Sequence, residues 1–390
     1  NKEPIPYESS VIRMINFNVP PYVSSALEYI KTACVTNKKI CGDGPYTKKV
    51  SQWLEQQTQA KKVLLTTSCS HGLDMMILLA GIGKGDEVIL PSYNFVSAAN
   101  SIAMRGATCV FVDIRKDTMN IDEKLIEQAI TKKTKAIFPM HYAGVACEMN
   151  SILEIAKKYN LLVLEDAAQG MMSAYHNKPL GTIGLFGSYS FHETKNYSMG
   201  EGGCLLINDE TYIERAEILR EKGTDRSKFW RGEVDKYTWQ DVGSSYLPSD
   251  MNAAYLWSQL EIAQKINEDR LHTYHEYEKA LQPLAQQGLI ELPHIPKECT
   301  HNGHMFYIKC KDLKDRTAFI EYMKENGTWC VFHYIPLHSA PAGKKFGRFE
   351  GEDVYTTKES ERLVRLPLYY GMKKCDIEHT IQCVFDYYKK

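Results

Sequence analysis

Three short segments of this chain hold residue types that do chemistry together. Lys195 lies in SFHETKNYSMGEGG, after an apolar strand and before a glycine-rich stretch. Most lysines are solvated surface residues. One that is partly desolvated at a sheet edge has a lowered pKa and can act as nucleophile and base. Asp166 ends the segment that begins with the apolar run Leu161-Leu162-Val163-Leu164. A carboxylate there is costly to bury without a partner. It reads either as a solvated strand end or helix cap, or as a carboxylate aimed at a cationic ligand atom such as a protonated pyridine nitrogen. Gln169, three residues on, is placed to donate to an adjacent phenolic oxygen. Ser68-Cys69-Ser70-His71-Gly72 falls at a strand-to-helix turn. It reads either as an ordinary N-cap or as a phosphate site, since a helix N-terminus offers free N–H groups and partial positive charge. A phosphate turn, a pyridinium carboxylate and a nucleophilic lysine are together what pyridoxal 5′-phosphate requires.

These residues need a scaffold that gathers them. From about residue 60 to 210 short apolar runs alternate with amphipathic segments: KVLLTTS (62–68), a helix over 70–86, EVILPSY (87–93), a helix near 95–104, ATCVFVDI (107–114), an amphipathic helix IDEKLIEQAI (121–130), KAIFPMH (135–141), a helix over 149–160, and LLVLED (161–166). Strands alternating with helices of this length predict βαβ units and a mostly parallel sheet covered on both faces. In such sheets ligands bind beyond the carboxyl ends of the strands, where these groups fall. After Gly187 the pattern becomes strand, loop, strand, then a helix over 209–222. A long polar and aromatic stretch follows (223–250), then a helical region over about 252–288 and a smaller α+β region. A loop as long as 223–250 is usually functional or partner-bound.

Composition narrows the function classes. Apolar residues are 44% and charged residues 24% of 390, which is ordinary globular usage. Lys plus Arg is 47 and Asp plus Glu 48, so the net charge of −1 provides no broad basic field for nucleic acid. No apolar run approaches the ~20 residues that span a bilayer, and the first thirteen residues read as a leader or expression scar rather than a signal peptide. The cysteines number 11, with no C-x-x-C pair, and read as reduced cytoplasmic thiols rather than zinc ligands; no metal site is expected. G-x-G-x-x-G and P-loop motifs are absent, which removes ordinary NAD and ATP sites.

The motifs GKGDEVILPSYNFVSAAN, KAIFPMHYAG, VLEDAAQ, GSYSFHETKN with GEGG, SDMNAA and RLPLY resemble the sugar-nucleotide aminotransferases of the DegT/DnrJ/EryC1/StrS family, over about Ile15 to Tyr388. The resemblance implies an α/β, type I pyridoxal-phosphate (aspartate aminotransferase-like) fold with a smaller C-terminal α+β domain. The corresponding divisions are 1–13 leader, 14–255 cofactor-binding domain and 256–390 small domain. It implies that Lys195 is the cofactor lysine and Asp166 the pyridine-nitrogen carboxylate. Gln169 sits beside the phenolic oxygen, Ser190, Ser70 and His71 hold the phosphate, and Phe95 stacks on the ring. It further implies a homodimer with shared sites, L-glutamate as amino donor, pyridoxamine phosphate as intermediate cofactor form, and C4 of a dTDP-linked 4-keto-6-deoxyhexose as acceptor. A galacto-configured product is expected; a gluco product or another nucleotide sugar is the alternative.

One departure stands out. Many relatives have an asparagine where this chain has Leu247, which puts a partner-to-phosphate contact in doubt unless Ser244 or Ser245 replaces it. Arg226, Arg231 and Lys236, with Tyr237 and neighbouring tryptophans, read either as a solvated loop or as a basic aromatic arm over a nucleotide diphosphate. His333 and His338 are weaker candidates for the sugar side, and His192 is assigned no role. Two other readings compete. A dehydratase of the same fold has histidine in place of the lysine, and a non-catalytic regulator would have lost cofactor residues.

Overall fold

A computed structural model describes residues 13–389. The expected leader lies outside the described residues except for Arg13, whose guanidinium is 3.1 Å from Asp376. The strands are β1 Lys62–Thr66, β2 Glu87–Pro91, β3 Thr108–Val112, β4 Thr134–Ile137, β5 Leu162–Asp166, β6 Ala174–Tyr175, β7 Lys178–Pro179, β8 Phe186–Ser190, β9 Gly203–Ile207, β10 Cys299–Thr300, β11 Phe306–Lys309, β12 Gly347–Phe349 and β13 Leu363–Leu366. Eight form one sheet in the order β1-β9-β8-β5-β4-β2-β3-β12. β9 pairs antiparallel with both neighbours, and every other pairing is parallel. The fold is therefore the expected α/β architecture with a large, mostly parallel central sheet.

Strand alternation divides the core. Val63, Leu65, Ile89, Val110, Val112, Ile137, Val163 and Leu206 pack on one face. Leu64, Val88, Leu90, Phe111, Ala136, Leu164, Phe186 and Leu205 pack on the other. Both sets are almost wholly buried, which accounts for strands that read as continuous apolar runs. A third cluster, including Tyr274, Tyr277, Phe306, Ile308, Phe319 and Val364, surrounds the antiparallel pair β11–β13. A fourth joins Tyr93, Met140 and Tyr142, at and beyond the carboxyl ends of β2 and β4, to Met305 and Tyr307 of the C-terminal region. That seam positions the site.

The helix Cys69–Leu79 starts where Ser68 Oγ accepts the N–H of His71 at 3.1 Å, and it runs out at Gly81, whose φ of 68° needs a residue without a side chain. Other expectations required adjustment. The amphipathic segment 121–130 forms two 3₁₀ turns, Glu123–Leu125 and Glu127–Ala129, instead of an α-helix. Ile121 is already bridged to Ile114 and Ile130 is extended, leaving too few free residues for a cooperative helix. The helical region after 250 is two helices, Asp250–Leu260 and Ala263–Gln286, broken at Ile262. Within the long loop a short helix spans Arg226–Trp230. The edge strand β12 returns from the C-terminal region to extend the large sheet beside β3.

Candidate active site

A cavity of about 590 Å³ opens at the carboxyl ends of the strands, and Lys195, Asp166, Gln169, Ser190, Ser70, Phe95 and His333 all line it. Asp166 ends β5, between β4 and β8. Its carboxylate is buried, and the hydrogen bond it accepts comes from the Ala168 N–H at 3.1 Å. Among the described residues it has no salt-bridge partner. Burial raises its pKa, while the Ala168 N–H, Lys195 and His141 pull the other way. A buried carboxylate with unused acceptor capacity beside an open cavity is suited to a cationic ligand atom.

Lys195 sits on the loop between β8 and β9. Burial lowers its pKa, and nearby Cys69 and Asp166 resist that shift. The loop is fastened on both sides. Phe191 N–H donates to Gly202 carbonyl at 2.8 Å, and Met199 N–H to Phe191 carbonyl at 2.9 Å. Tyr197 Oη donates to Ala263 carbonyl at 2.8 Å. Gln259 clasps Ser198 through its N–H at 2.8 Å and its carbonyl at 2.7 Å. Such anchoring fixes the backbone that carries Lys195.

The turn at the start of helix Cys69–Leu79 lies against the sheet because two glycines permit it. A Cβ at Gly203 would fall 2.4 Å from the Cys69 nitrogen, and one at Gly72 2.3 Å from Ser188 Oγ. Ser70 Oγ is 2.6 Å from Ser97 Oγ, and both line the cavity with Ser68 and Ser190. Hydroxyls grouped at a helix N-terminus fit a phosphate. His71 turns elsewhere: its Nδ1 bonds Thr67 Oγ1, and its ring meets Tyr246 edge-on at 5.0 Å. Gln169 bridges two regions, accepting from the Ala143 N–H at 2.6 Å and donating to Tyr334 Oη at 3.0 Å. Phe95 is half exposed to the cavity mouth, 6.1 Å from the Tyr334 ring.

The candidate substrate residues do not converge within one chain. His333 does reach the cavity, bonding Tyr142 Oη through Nδ1 at 2.8 Å and stacking on Tyr334 at 3.7 Å. His338 instead bridges Ser92 Oγ at 2.6 Å and Asp353 at 3.2 Å, away from the cavity. Arg226 and Arg231 line a second cavity of about 730 Å³ with Trp230, Lys222 and Leu247. Arg231 pairs there with Glu217 at 2.9 Å and Glu233 at 2.7 Å. Leu247 packs on Gly42, where an added Cβ would lie 2.2 Å from its Cγ. Tyr237 stands in the exposed loop against Phe229, and Lys236 is exposed beside it. His192 lines the first cavity, with Nε2 3.6 Å from Glu201.

Sequence reasoning did not single out His304, Tyr334, Arg365 or Asn196. The first three come from the C-terminal region, where no periodicity announced a site. Arg365 carried a signal, as a cation inside the apolar strand LVRLPL. His141 and Glu165, close to Asp166, serve the fold instead. Glu165 accepts from Gly181, Ile183 and Gly184 N–H groups at 2.6–2.8 Å and from His141 Nε2 at 2.9 Å. No cluster of three or more His, Cys, Asp or Glu suited to a metal occurs among the described residues. Nor is any described helix long and apolar enough to cross a membrane.

The model of the DegT/DnrJ/EryC1/StrS aminotransferase family matches residues 25–385. The chain is 32% identical over 355 residues to the spore coat polysaccharide biosynthesis protein SpsC of Bacillus subtilis, covering 89% of this chain and 90% of that one. It is 30% identical over 348 residues to the pleiotropic regulatory protein of Geobacillus stearothermophilus, covering 89% and 90%. The crystal structure of the aminotransferase TlmJ from Streptoalloteichus hindustanus superposes with a TM-score of 0.88 at 27% identity, over 96% of this chain and 99% of that one.

Proposed function

Because the chain belongs to the DegT/DnrJ/EryC1/StrS aminotransferase family, we propose that it transfers the amino group of L-glutamate to C4 of a dTDP-linked 4-keto-6-deoxyhexose, giving dTDP-4-amino-4,6-dideoxygalactose. The observation that carries the aminotransferase reading is the pairing of Lys195 and Asp166 across one cavity. The family's aminotransferases use pyridoxal 5′-phosphate, and the residues present fit it. Lys195 would hold its aldehyde carbon, Asp166 its ring nitrogen, Gln169 its phenolic oxygen, Phe95 its ring face, and Ser70 and Ser190 its phosphate. When bound, that group supplies an electron sink for a carbon that loses its proton.

The chain's own residues do the rest. Asp166 keeps the ring nitrogen cationic. Lys195, with its lowered pKa, accepts the proton from the donor's α-carbon and returns one to sugar C4. The donor ends as a 2-oxo acid and the sugar as an amine, so no external oxidant or reductant is needed. The sugar-nucleotide identity rests on the resemblance of the stretches HYAGVACEM, VDKYTW and FHYIPLH. We assign a homodimer in which Arg226, Arg231 and Lys236 of one subunit serve the other's site, since within one chain Arg226 and Arg231 lie at a separate cavity. A reducing cytoplasm suits eleven unpaired cysteines. The regulatory name borne by one relative supports a second reading, and the retained lysine and carboxylate weigh against a purely non-catalytic role.

The test supplies purified protein with pyridoxal 5′-phosphate, L-glutamate and the dTDP-4-keto-6-deoxy sugar, and determines the product by NMR. We expect an axial C4 amine with one equivalent of 2-oxoglutarate. An equatorial amine would replace the galacto product with the gluco one. Absence of 2-oxoglutarate would discard the transaminase reading.

A further inference from the structure

A third cavity, of about 610 Å³, lies between the segment after β3 and the C-terminal region, and it shares no lining residue with the cavity of Lys195. Glu123 lines it and is only 8% exposed. Its Oε2 is buried without a hydrogen-bond partner. Arg115 Nη1 stands 3.6 Å from that oxygen, but Arg115 commits Nε and Nη2 to Asp117 at 3.0 and 2.7 Å. Buried carboxylate oxygens normally accept hydrogen bonds, because an unanswered one is expensive to desolvate. Donors on the same cavity are also free. Lys124 and His294 line it, both are exposed, and among the described residues neither side chain makes a hydrogen bond or salt bridge. Ile290 and Leu292 add an apolar lining.

We propose that this cavity binds an α-amino acid with an apolar side chain, as an effector rather than as a substrate. An ammonium group brings three donors to the unanswered Glu123 oxygen, and hydrogen bonds between charged groups are the strong ones. The carboxylate meets Lys124 and His294, and the side chain covers Ile290 and Leu292. Neither an amine nor a carboxylic acid alone answers both sets. The cavity walls already touch: Lys116 Nζ is 3.4 Å from Glu291 Oε1, and Lys309 Nζ donates to the Lys116 carbonyl. Ile114 and Met119, from the same wall as Arg115, pack in the seam with Tyr93, Met140 and Tyr142. Tyr355 packs against that seam and lines the cavity. Met140 in turn lines the cavity of Lys195. An occupant therefore braces the seam and couples to the active site without entering it.

Calorimetry on holoenzyme carrying pyridoxamine phosphate, which has no aldehyde for an amino acid to attack, tests the binding. L-Phenylalanine should bind wild type saturably. 2-Phenylethylamine, which lacks the carboxylate, and 3-phenylpropanoate, which lacks the ammonium, should each bind roughly tenfold more weakly or worse. Glu123→Gln should weaken L-phenylalanine by a similar factor and the exposed Lys124→Gln by roughly a few-fold, with thermal midpoints and cofactor loading near wild type. No saturable binding, unchanged binding in Glu123→Gln, or either analogue binding as tightly as the amino acid would overturn the site. The sugar half-reaction of the same cofactor form, followed by stopped-flow absorbance, tests the coupling. Saturating L-phenylalanine should change its rate or half-saturation by about twofold or more in wild type and not in Glu123→Gln. No change in wild type would overturn the effector role. This readout alone rests on the aminotransferase reading, so a protein without a sugar half-reaction removes that reading and leaves calorimetry to decide the site.

Discussion

Asn196 Oδ1 lies 2.7 Å from His304 Nδ1, so the residue next to Lys195 is held by the C-terminal region. Asn196 Nδ2 donates to the Asn302 carbonyl at 2.9 Å, which leaves Oδ1 to accept from the protonated Nδ1 of His304. Burial keeps His304 neutral, well below its ordinary titration range. Asn302 in turn donates to the carbonyls of Gln169 and Met171, both at 2.8 Å. The lysine loop and the segment after β5 are therefore tied to one strap, Asn302 to His304.

Breaking that strap should loosen the lysine without removing it. Asn196→Ala leaves the buried His304 donor unanswered, at a cost of about 1–3 kcal/mol in stability. Both half-reactions should slow together, because the proposed mechanism uses Lys195 in both. Urea unfolding and stopped-flow absorbance of each half-reaction check this, and an effect confined to one half-reaction would contradict it.

The carboxylate should behave oppositely with and without cofactor. Asp166 has a raised pKa in the folded chain. Between the ordinary carboxylate value of about 3.9 and its folded value, the native state binds more protons than the unfolded one. Its contribution to stability therefore falls as pH rises through that window and stays unfavourable above it. Asp166→Asn should make the cofactor-free protein at least as stable as wild type at pH 7, and should weaken cofactor binding and turnover. Thermal melts with and without pyridoxal 5′-phosphate show whether the order reverses.

How much of this was legible depended on where each residue sits. Asp166 and Lys195 could be read because apolar strands end beside them, and strand ends of a parallel sheet converge; Ser190 came from the family resemblance. His304, Tyr334 and Arg365 reach the same cavity from the segment before β11, the stretch between β11 and β13, and β13 itself, which are separated from β5 by more than a hundred residues. No local pattern encodes that approach. His338 reads as a site residue by its motif, yet tertiary packing gives it to Ser92 and Asp353. The segment 121–130 has helical periodicity, and the bridge at Ile121 overrides it.

Close backbone approach at the start of helix Cys69–Leu79 gives another prediction. Gly203→Ala would place a methyl group 2.4 Å from the Cys69 nitrogen and 2.6 Å from the Ser68 carbonyl carbon. Backbone cannot yield as a side chain can, so a loss of about 1–3 kcal/mol is expected. Cofactor affinity should fall with it, since the displaced turn carries Ser70. Fluorescence titration with pyridoxal 5′-phosphate measures this directly.

Arg231 provides a test of shared sites. It lies at the second cavity, on its own chain's Glu217 and Glu233. If it serves the partner's substrate, Lys195→Ala and Arg231→Ala proteins mixed under exchange should regain activity, since one hybrid site has both residues. Confirmed hybrid dimers without activity would place Arg231 outside the site.

The central claim is that Lys195 holds the cofactor and moves the proton. Holoenzyme reduced with borohydride and digested should yield one modified peptide, with the cofactor fixed to Lys195. Lys195→Ala should fold, yield no modified peptide and lose turnover. A cofactor fixed to another lysine, or wild-type turnover in Lys195→Ala, would contradict the account.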